Sequence, residues 1–587
     1  MTDTTLSPKP VSPKPTPLHA GPPREGSDVA WWRTAVIYQV YPRSWADSDG
    51  DGVGDLPGII DRLPYLRELG VDALWLSPFY VSPMNDAGYD VADYEDIDPL
   101  FGTLEDADRL IATAHDLGLR VIIDLVPNHS SSEHPWFQAA LAAAPGSPER
   151  ERYIFRDGLG PDGSEPPSDW LSVFGGPGWS RVTEADGTPG QWYLHLFDVT
   201  QPDFNWHNPE VVAAFHGHLR FWLDRGVDGF RVDVAHSLFK DMTFPSWPYG
   251  GEMLVPEHIH SSTGPMWDLD EVHEVYRGWR EILDEYATPG DPSTDRILCA
   301  EAWVSPPSRL ARYVRPDEMH QAFNFDFLEA GWDAERLGPV IADSYARNDE
   351  VGAPTTWVLS NHDVVRHASR FGLPDPTHRP NGIGPDDIQP DAELGLRRAR
   401  AATTLMLGLP GSAYVYQGEE LGLPEHTRLP GEVRQDPTYH RTHHAKLGRD
   451  GCRIPMPWTA DGPSFGFGPS GDTWLPQPEV YGELAVDRQD GTPGSTLELY
   501  RALLRLRRER DLAAGSIVEV ETPEGVLAYV VTSRSGVRTG LVLNESAESV
   551  PVPFDGRLLV HSAPEIDPAT APADVVAADS AAWFALD

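Results

Sequence analysis

The stretch RVIIDLVPNH, residues 120–129, is a near-continuous aliphatic run, mostly β-branched, that closes on Pro127, Asn128 and His129. Such a run fits a strand buried on both faces, with its polar end marking one edge of a parallel sheet. The pattern recurs in AVIYQVYP (35–42), ALWLSPF (73–79), GFRVDVAH (229–236), RILCAEAW (296–303), AFNFDF (322–327), TTWVLSNHD (355–363) and SAYVYQGEE (412–420). Amphipathic helical patterns lie between them, among them IIDRLPYLRELG (59–70), LEDADRLIATAHDLG (104–118), PEVVAAFHGHLRFWLDRG (209–226) and LDEVHEVYRGWREILDEYA (269–287). Strand and helix alternating eight times predict an α/β fold, a (β/α)8 TIM barrel. AFNFDF is the weakest of the eight strands.

Working outward from this core, the interval between the third and fourth strands spans about a hundred residues, too long for a structureless loop. Its first part, 129–206, is rich in Gly, Pro and Trp and is expected to be a subdomain inserted after strand 3. The barrel then occupies 31–128 and 207–512, with STLELYRALLRLRRERDL (495–512) as its last helix. Alternating short runs from 513 to 587 predict a C-terminal antiparallel β domain. Residues 1–30, with SPKPVSPKPTPLHAGPP, predict an extended, mobile, proline-rich tail.

Ninety acidic side chains against 46 basic ones give a net charge of −44. That surface disfavours nucleic acid, anionic lipid and phosphorylated substrates, and suits neutral ones such as sugars. Cys299 and Cys452 are the only cysteines, expected as buried free thiols compatible with a reducing compartment. No apolar run reaches membrane-spanning length and no signal-peptide pattern opens the chain, so a cytoplasmic location is expected.

Barrel enzymes carry their chemistry at the C-terminal strand ends. Those ends hold Asp124, Asn128 and His129, then Arg231 and Asp233, then Glu301, then His362 and Asp363. Arg231 and Asp233, two apart on a strand, share a face. A guanidinium beside Asp233 is expected to keep it ionised, as a nucleophile requires. Glu301 has no cation beside it in LCAEAWV, and its apolar setting is expected to keep it protonated as an acid. Such a pair is the equipment for glycoside cleavage with retention, with Asp363 as a third carboxylate gripping the sugar.

Separately, DSDGDGVGD (47–55) places aspartates on alternate positions. The register of Asp47, Asp49, Asp51, the Val53 carbonyl and Asp55 matches the first nine positions of a cation-wrapping loop. Position twelve, a glutamate in an EF-hand, is Gly58. A structural Ca²⁺ site in another fold is therefore expected, with Mg²⁺ as the alternative.

DLVPNH, GFRVDVAH, AEAW and SNHD, in this order and spacing, resemble the strand-end motifs of the α-amylase family of glycoside hydrolases, and QPDFNW (201–206) resembles the form of its fifth motif in the α-glucosidase and oligo-1,6-glucosidase branch. The resemblance implies Asp233 as nucleophile, Glu301 as acid/base and Asp363 as transition-state stabiliser. It implies that His129, His362 and Arg231 hold the reacting sugar, and that Asp86 and Tyr89 hold the terminal glucose. Arg449 or Arg453 would pair with Asp86, and Phe174 would line the pocket wall or the core behind it. It also implies Ca²⁺ in the loop after strand one. The expected activity is exo-acting cleavage of short, neutral α-glucosides, maltose ahead of isomaltose. A transglucosidase or glucosyl isomerase of the trehalose synthase type is the competing enzyme reading. A non-catalytic hydrolase-like interaction domain is disfavoured by the complete acid set.

Overall fold

The computed structural model describes residues 17–21, 29–184, 186–247, 264–571 and 574–586. Eight parallel strands close a barrel: β1 (Val36–Val40), β2 (Ala73–Leu76), β3 (Arg120–Leu125), β4 (Gly229–Val232), β5 (Ile297–Ala300), β6 (Gln321–Asn324), β7 (Thr356–Val358) and β8 (Ser412–Tyr416). Each strand neighbours its successor, and β8 returns to β1 with Val36 opposite Ala413. Every run singled out in the sequence is one of these strands. The weak sixth stops at Asn324, whose side chain accepts the Phe327 N–H and starts a short helix, Phe325–Ala330.

The helical layer comprises α1 (Leu56–Leu69), α2 (Leu104–Asp116), α3 (Pro209–Asp224), α4 (Val272–Asp284), α5 (Ala334–Val351), α6 (Ala392–Gly408) and α7 (Thr496–Glu509). Between β5 and β6 it shrinks to Pro307–Leu310 and a 3-10 turn, Ala311–Val314. Thr103 and Asp106 form a reciprocal capping box at the start of α2, which satisfies two orphan amides. Gly70, at φ 97°, ends α1 in a conformation that favours glycine. α7 packs against α1 and α6 and closes the ring. Inside the barrel, Ile37, Trp75, Ile122, Cys299, Phe323 and Tyr414 form one buried cluster. Burial of side chains of this size stabilises by roughly 1.5–3 kcal/mol each. Both cysteines are free and buried.

Between β3 and α3, Phe155–Arg156, Pro189–Leu194 and Trp179–Thr183 form a three-stranded antiparallel sheet. A backbone bridge from His129 to Asp203 ties this segment to the barrel mouth. At the C-terminus, Ser516–Val520, Val526–Thr532, Arg538–Asn544, Ser580–Ala585 and Arg557–His561 make a five-stranded antiparallel sheet. Trp583 in this sheet donates its indole N–H to the Thr404 carbonyl of α6 at 2.8 Å.

One expectation fails here. Part of the supposedly mobile tail is docked: the Leu18 N–H donates to the Ile517 carbonyl at 2.9 Å. His19 stacks on Tyr345 with ring centroids 5.0 Å apart and lies 2.7 Å from an Asp349 carboxylate oxygen. The cause is an open sheet edge. Ser516–Val520 ends its sheet, and an edge strand offers unpaired amides to any extended segment. Residues 1–16 and 22–28 of the expected tail lie outside the described residues. Among the described residues, no helix is long and apolar enough to cross a membrane.

Candidate active site

Parallel pairing sets Asp124 and Cys299 opposite Arg231 across β3, β4 and β5. Arg231 is 2 % exposed. Its Nη1 donates to Asp124 Oδ1 and Asp233 Oδ1, and its Nη2 to Glu301 Oε2, each at 2.7 Å. Asp233 and Glu301 therefore face one space across a single guanidinium. Their free valences differ. Glu301 Oε2 also accepts the Val234 N–H at 3.0 Å, and Oε1 accepts the Trp303 indole at 3.1 Å. Asp233 Oδ2 makes no hydrogen bond among the described residues. Val234 sits at φ 42°, a costly conformation for a β-branched residue, and in it presents its amide to Glu301.

This geometry corrects the electrostatic expectation. Glu301 does have a cation beside it, because Arg231 serves both acids. Burial pushes the Asp233 carboxyl well above its usual range, Arg231 opposing and Glu301, Asp124 and Asp363 reinforcing. Burial likewise raises Asp124 to about 6 against the pull of Arg231. One guanidinium among three carboxylates cannot keep all of them ionised in a dry site. Arg231, shared by three acids, therefore does not hold Asp233 low as expected from the sequence.

Asp363 is the opposite case. Burial works to raise it, yet Arg449 Nη1 and Arg453 Nη2 reach its Oδ1 at 2.9 and 3.1 Å and hold it well below the carboxylate range. His362 Nε2 lies 3.3 Å from Asp363 Oδ2. Burial pushes His362 well below its ordinary value, so the ring is neutral and the two arginines supply the charge.

Beyond Asp363 lies Asp86, whose Oδ1 accepts Arg449 Nη2 at 2.8 Å and whose Oδ2 accepts Gln201 Nε2 at 3.0 Å. Of the two candidate arginines, Arg449 therefore pairs with Asp86, while Arg453 turns to Asp363 and the His362 carbonyl. Burial raises Asp86 to about 7 despite Arg449. Tyr89 donates its hydroxyl to Asp124 Oδ2 at 2.9 Å and stacks on His362, centroids 5.2 Å apart and planes within 4°. One face of the Tyr89 ring is thus taken by His362. His129 packs on Phe197 at 4.8 Å. Phe174 is buried under the Arg449 guanidinium, 4.8 Å from its ring centroid.

In the acidic loop, carboxylate oxygens of Asp47, Asp49 and Asp55 lie within 4.8 Å of one another. Asp51 does not join them; it caps the Val53 N–H at 2.8 Å. Asp55 Oδ1 meanwhile accepts the Gly58 N–H at 2.6 Å and starts α1. Gly58 also explains the departure from an EF-hand, because a Cβ there would lie 2.2 Å from the Ala46 carbonyl oxygen.

Residues 39–515 match the alpha amylase, catalytic domain, family. The chain belongs to it. A probable alpha-glucosidase of Rhizobium meliloti (strain 1021) is 40% identical over 520 residues, covering 86% of this chain and 87% of the relative. An oligo-1,6-glucosidase of Heyndrickxia coagulans is 35% identical, covering 89% of this chain and 93% of the relative. The crystal structure of an alpha-glucosyl transfer enzyme superposes with a TM-score of 0.80 at 35% identity, covering 95% of this chain and 100% of that one.

Several residues of this alpha-amylase family site escape a strand-end reading. Gln201 joins Asp86 to the vicinity of His129, 3.1 Å from its Nε2. Asp436 accepts Arg449 Nε at 2.6 Å and its main-chain N–H at 2.9 Å. Gln39 holds His362 Nδ1 at 2.7 Å. Gln201 lies within a motif that the sequence does display. Asp436 lies in the long segment between β8 and α7, where no periodicity marks it.

Proposed function

We propose that the chain is a retaining, exo-acting α-glucosidase that removes terminal, non-reducing α-linked glucose from short oligosaccharides. The supporting observation is Asp233 and Glu301 meeting across Arg231, with the Asp86–Arg449 pair joined to the third carboxylate, Asp363, through the same arginine. Asp233 Oδ2, without a hydrogen-bond partner among the described residues, attacks the anomeric carbon. The glycosidic C–O bond breaks as Glu301 gives its proton to the leaving oxygen. The step requires Asp233 ionised and the proton on Glu301. Asp363, kept ionised by two arginines, stabilises the positive charge growing at the sugar. Glu301 then deprotonates water, which attacks the glucosyl ester and releases glucose with retention.

Maltose, isomaltose, trehalose, sucrose and starch, incubated separately and resolved by chromatography, test this reading. Glucose is expected from maltose first and isomaltose second. Internal cleavage of starch with maltose untouched would contradict it. A second reading, glucosyl transfer or isomerisation, draws on the likeness to an alpha-glucosyl transfer enzyme. It predicts new disaccharides or longer oligomers in place of glucose.

Asp47, Asp49 and Asp55 fit a hard cation, since three hard oxygen donors converge and Asp51 stands aside. Bound there, Ca²⁺, or Mg²⁺ in its place, would brace the loop between β1 and α1 and take no part in the chemistry. Calcium at millimolar concentration is expected to raise Tm by several degrees, in keeping with RT ln(1 + [L]/Kd) at saturation. Asp47→Asn is expected to abolish the shift. No shift in the parent protein would remove the site. The net charge of −44 suits neutral substrates over nucleic acid, and two buried free thiols suit the cytoplasm.

A further inference from the structure

Lys240, on the segment after β4, is 2 % exposed and lies 2.8 Å from Asp203 Oδ2 and 2.7 Å from Asn128 Oδ1. An ammonium can only donate, so the Asn128 atom it meets is the oxygen. The Ser237 hydroxyl donates to that same oxygen at 2.5 Å. With its oxygen consumed twice, the Asn128 amide must turn its nitrogen away. Nδ2 lies 3.3 Å from Asp203 Oδ2 and 3.1 Å from His129 Nδ1. The other ring nitrogen, Nε2, lies 3.2 Å from the Tyr89 carbonyl, which can only accept. At Nε2 the Gln201 amide nitrogen also lies 3.1 Å away; against that one donor, the Asn128 N–H at Nδ1 and the Tyr89 carbonyl at Nε2 both favour the neutral tautomer with the hydrogen on Nε2. Gln201, whose oxygen is committed to the Asp198 N–H at 2.9 Å, directs one amide hydrogen to Asp86 Oδ2 at 3.0 Å.

We propose that Lys240 is a positioning residue that fixes His129 as the Nε2–H tautomer through Asn128, and pins the Gln201–Asp203 segment against the end of β3. This rests on the α-glucosidase reading, in which His129 and Asp86 hold the terminal sugar. The His129 ring is then held in place by its Nε2–H on the Tyr89 carbonyl, while Gln201 keeps Asp86 as an acceptor. Without Lys240 the Asn128 amide can invert, its oxygen can face Nδ1, and the ring hydrogen follows it.

The test compares Lys240→Met with Lys240→Met/Asp203→Asn, in which the stranded buried carboxylate is also neutralised. Lys240→Met is expected to lose Tm. The double variant is expected to regain most of it, because no buried charge is left unpaired. The inhibition constant for glucose is expected to stay raised on the order of tenfold in both, the scale of one lost hydrogen bond near 1.4 kcal/mol. Specifically, ¹⁵N-histidine NMR is expected to show a His129 Nε2–H signature in the parent, identified by its loss in His129→Gln, and its decline in both variants. Ser237→Ala, which strands no charge, provides a folded comparison and is expected to raise the constant in the same direction by a few fold. Recovery of glucose binding and of the tautomer together with Tm would overturn the proposal, as would a parent His129 already protonated on Nδ1. Failure of the parent to release glucose from maltose would instead sink the α-glucosidase reading and leave the tautomer result standing.

Discussion

Asp233→Ala is expected to lower kcat on maltose by about 10⁴-fold or more, the scale on which loss of a covalent nucleophile registers. Tm is expected to hold or rise, because Asp233 is one of three carboxylates sharing Arg231 and burial already raises its pKa. The shortened side chain leaves room on the face of the sugar opposite the leaving group. Azide, supplied with an activated α-glucoside, is expected to enter there and give the β-glucosyl azide. Measurement of kcat with and without azide, and the anomeric configuration of the product by NMR, checks both halves. Residual activity with unchanged stereochemistry would mean that another group attacks.

Glu301→Gln removes the proton donor and leaves the volume and the Arg231 contact largely in place. General acid catalysis contributes about 10²–10⁴-fold, and a loss of that size is expected for maltose, whose leaving group needs protonation. A glucosyl fluoride, whose leaving group needs little help, is expected to react far closer to the parental rate in the first step. The second step then lacks its base, so a burst followed by a slow steady state is expected. The pH dependence changes with a defined sign. An acid works only while protonated, so parental kcat/KM is expected to fall at alkaline pH, and that falling limb is expected to vanish in Glu301→Gln. Persistence of the limb would assign it to another group.

How far the sequence carries can be judged from particular residues. The eight strands are legible because a doubly buried parallel strand must be apolar throughout, and its polar termination is where the barrel opens. The pair of Asp233 and Glu301 is legible for the same reason, each standing at such a termination. What the sequence does not display is who shares a partner. Arg231 and Asp233 are two residues apart, so their contact is evident, but Arg231 and Glu301 are 70 apart and meet only when β4 and β5 pair in register. The expected contrast, a cation beside Asp233 and none beside Glu301, fails on that one contact. Arg449 and Arg453 both carry the right charge, and only the turn at Asp450–Cys452 decides which of them reaches Asp86. Asp51 looks like its neighbours in the acidic loop, yet a local bond to the Val53 amide outcompetes convergence. The docking of Leu18 and His19 is equally silent, because an edge strand accepts any extended backbone.

Trapping of the covalent intermediate with a fluorinated glucosyl fluoride, followed by digestion and mass spectrometry of the labelled peptide, tests whether Asp233 is the nucleophile. One glucosyl ester is expected, on Asp233, formed in the parent and in Glu301→Gln and missing in Asp233→Ala. An ester on Glu301 or Asp363, or complete turnover with no ester and an inverted product, would contradict it.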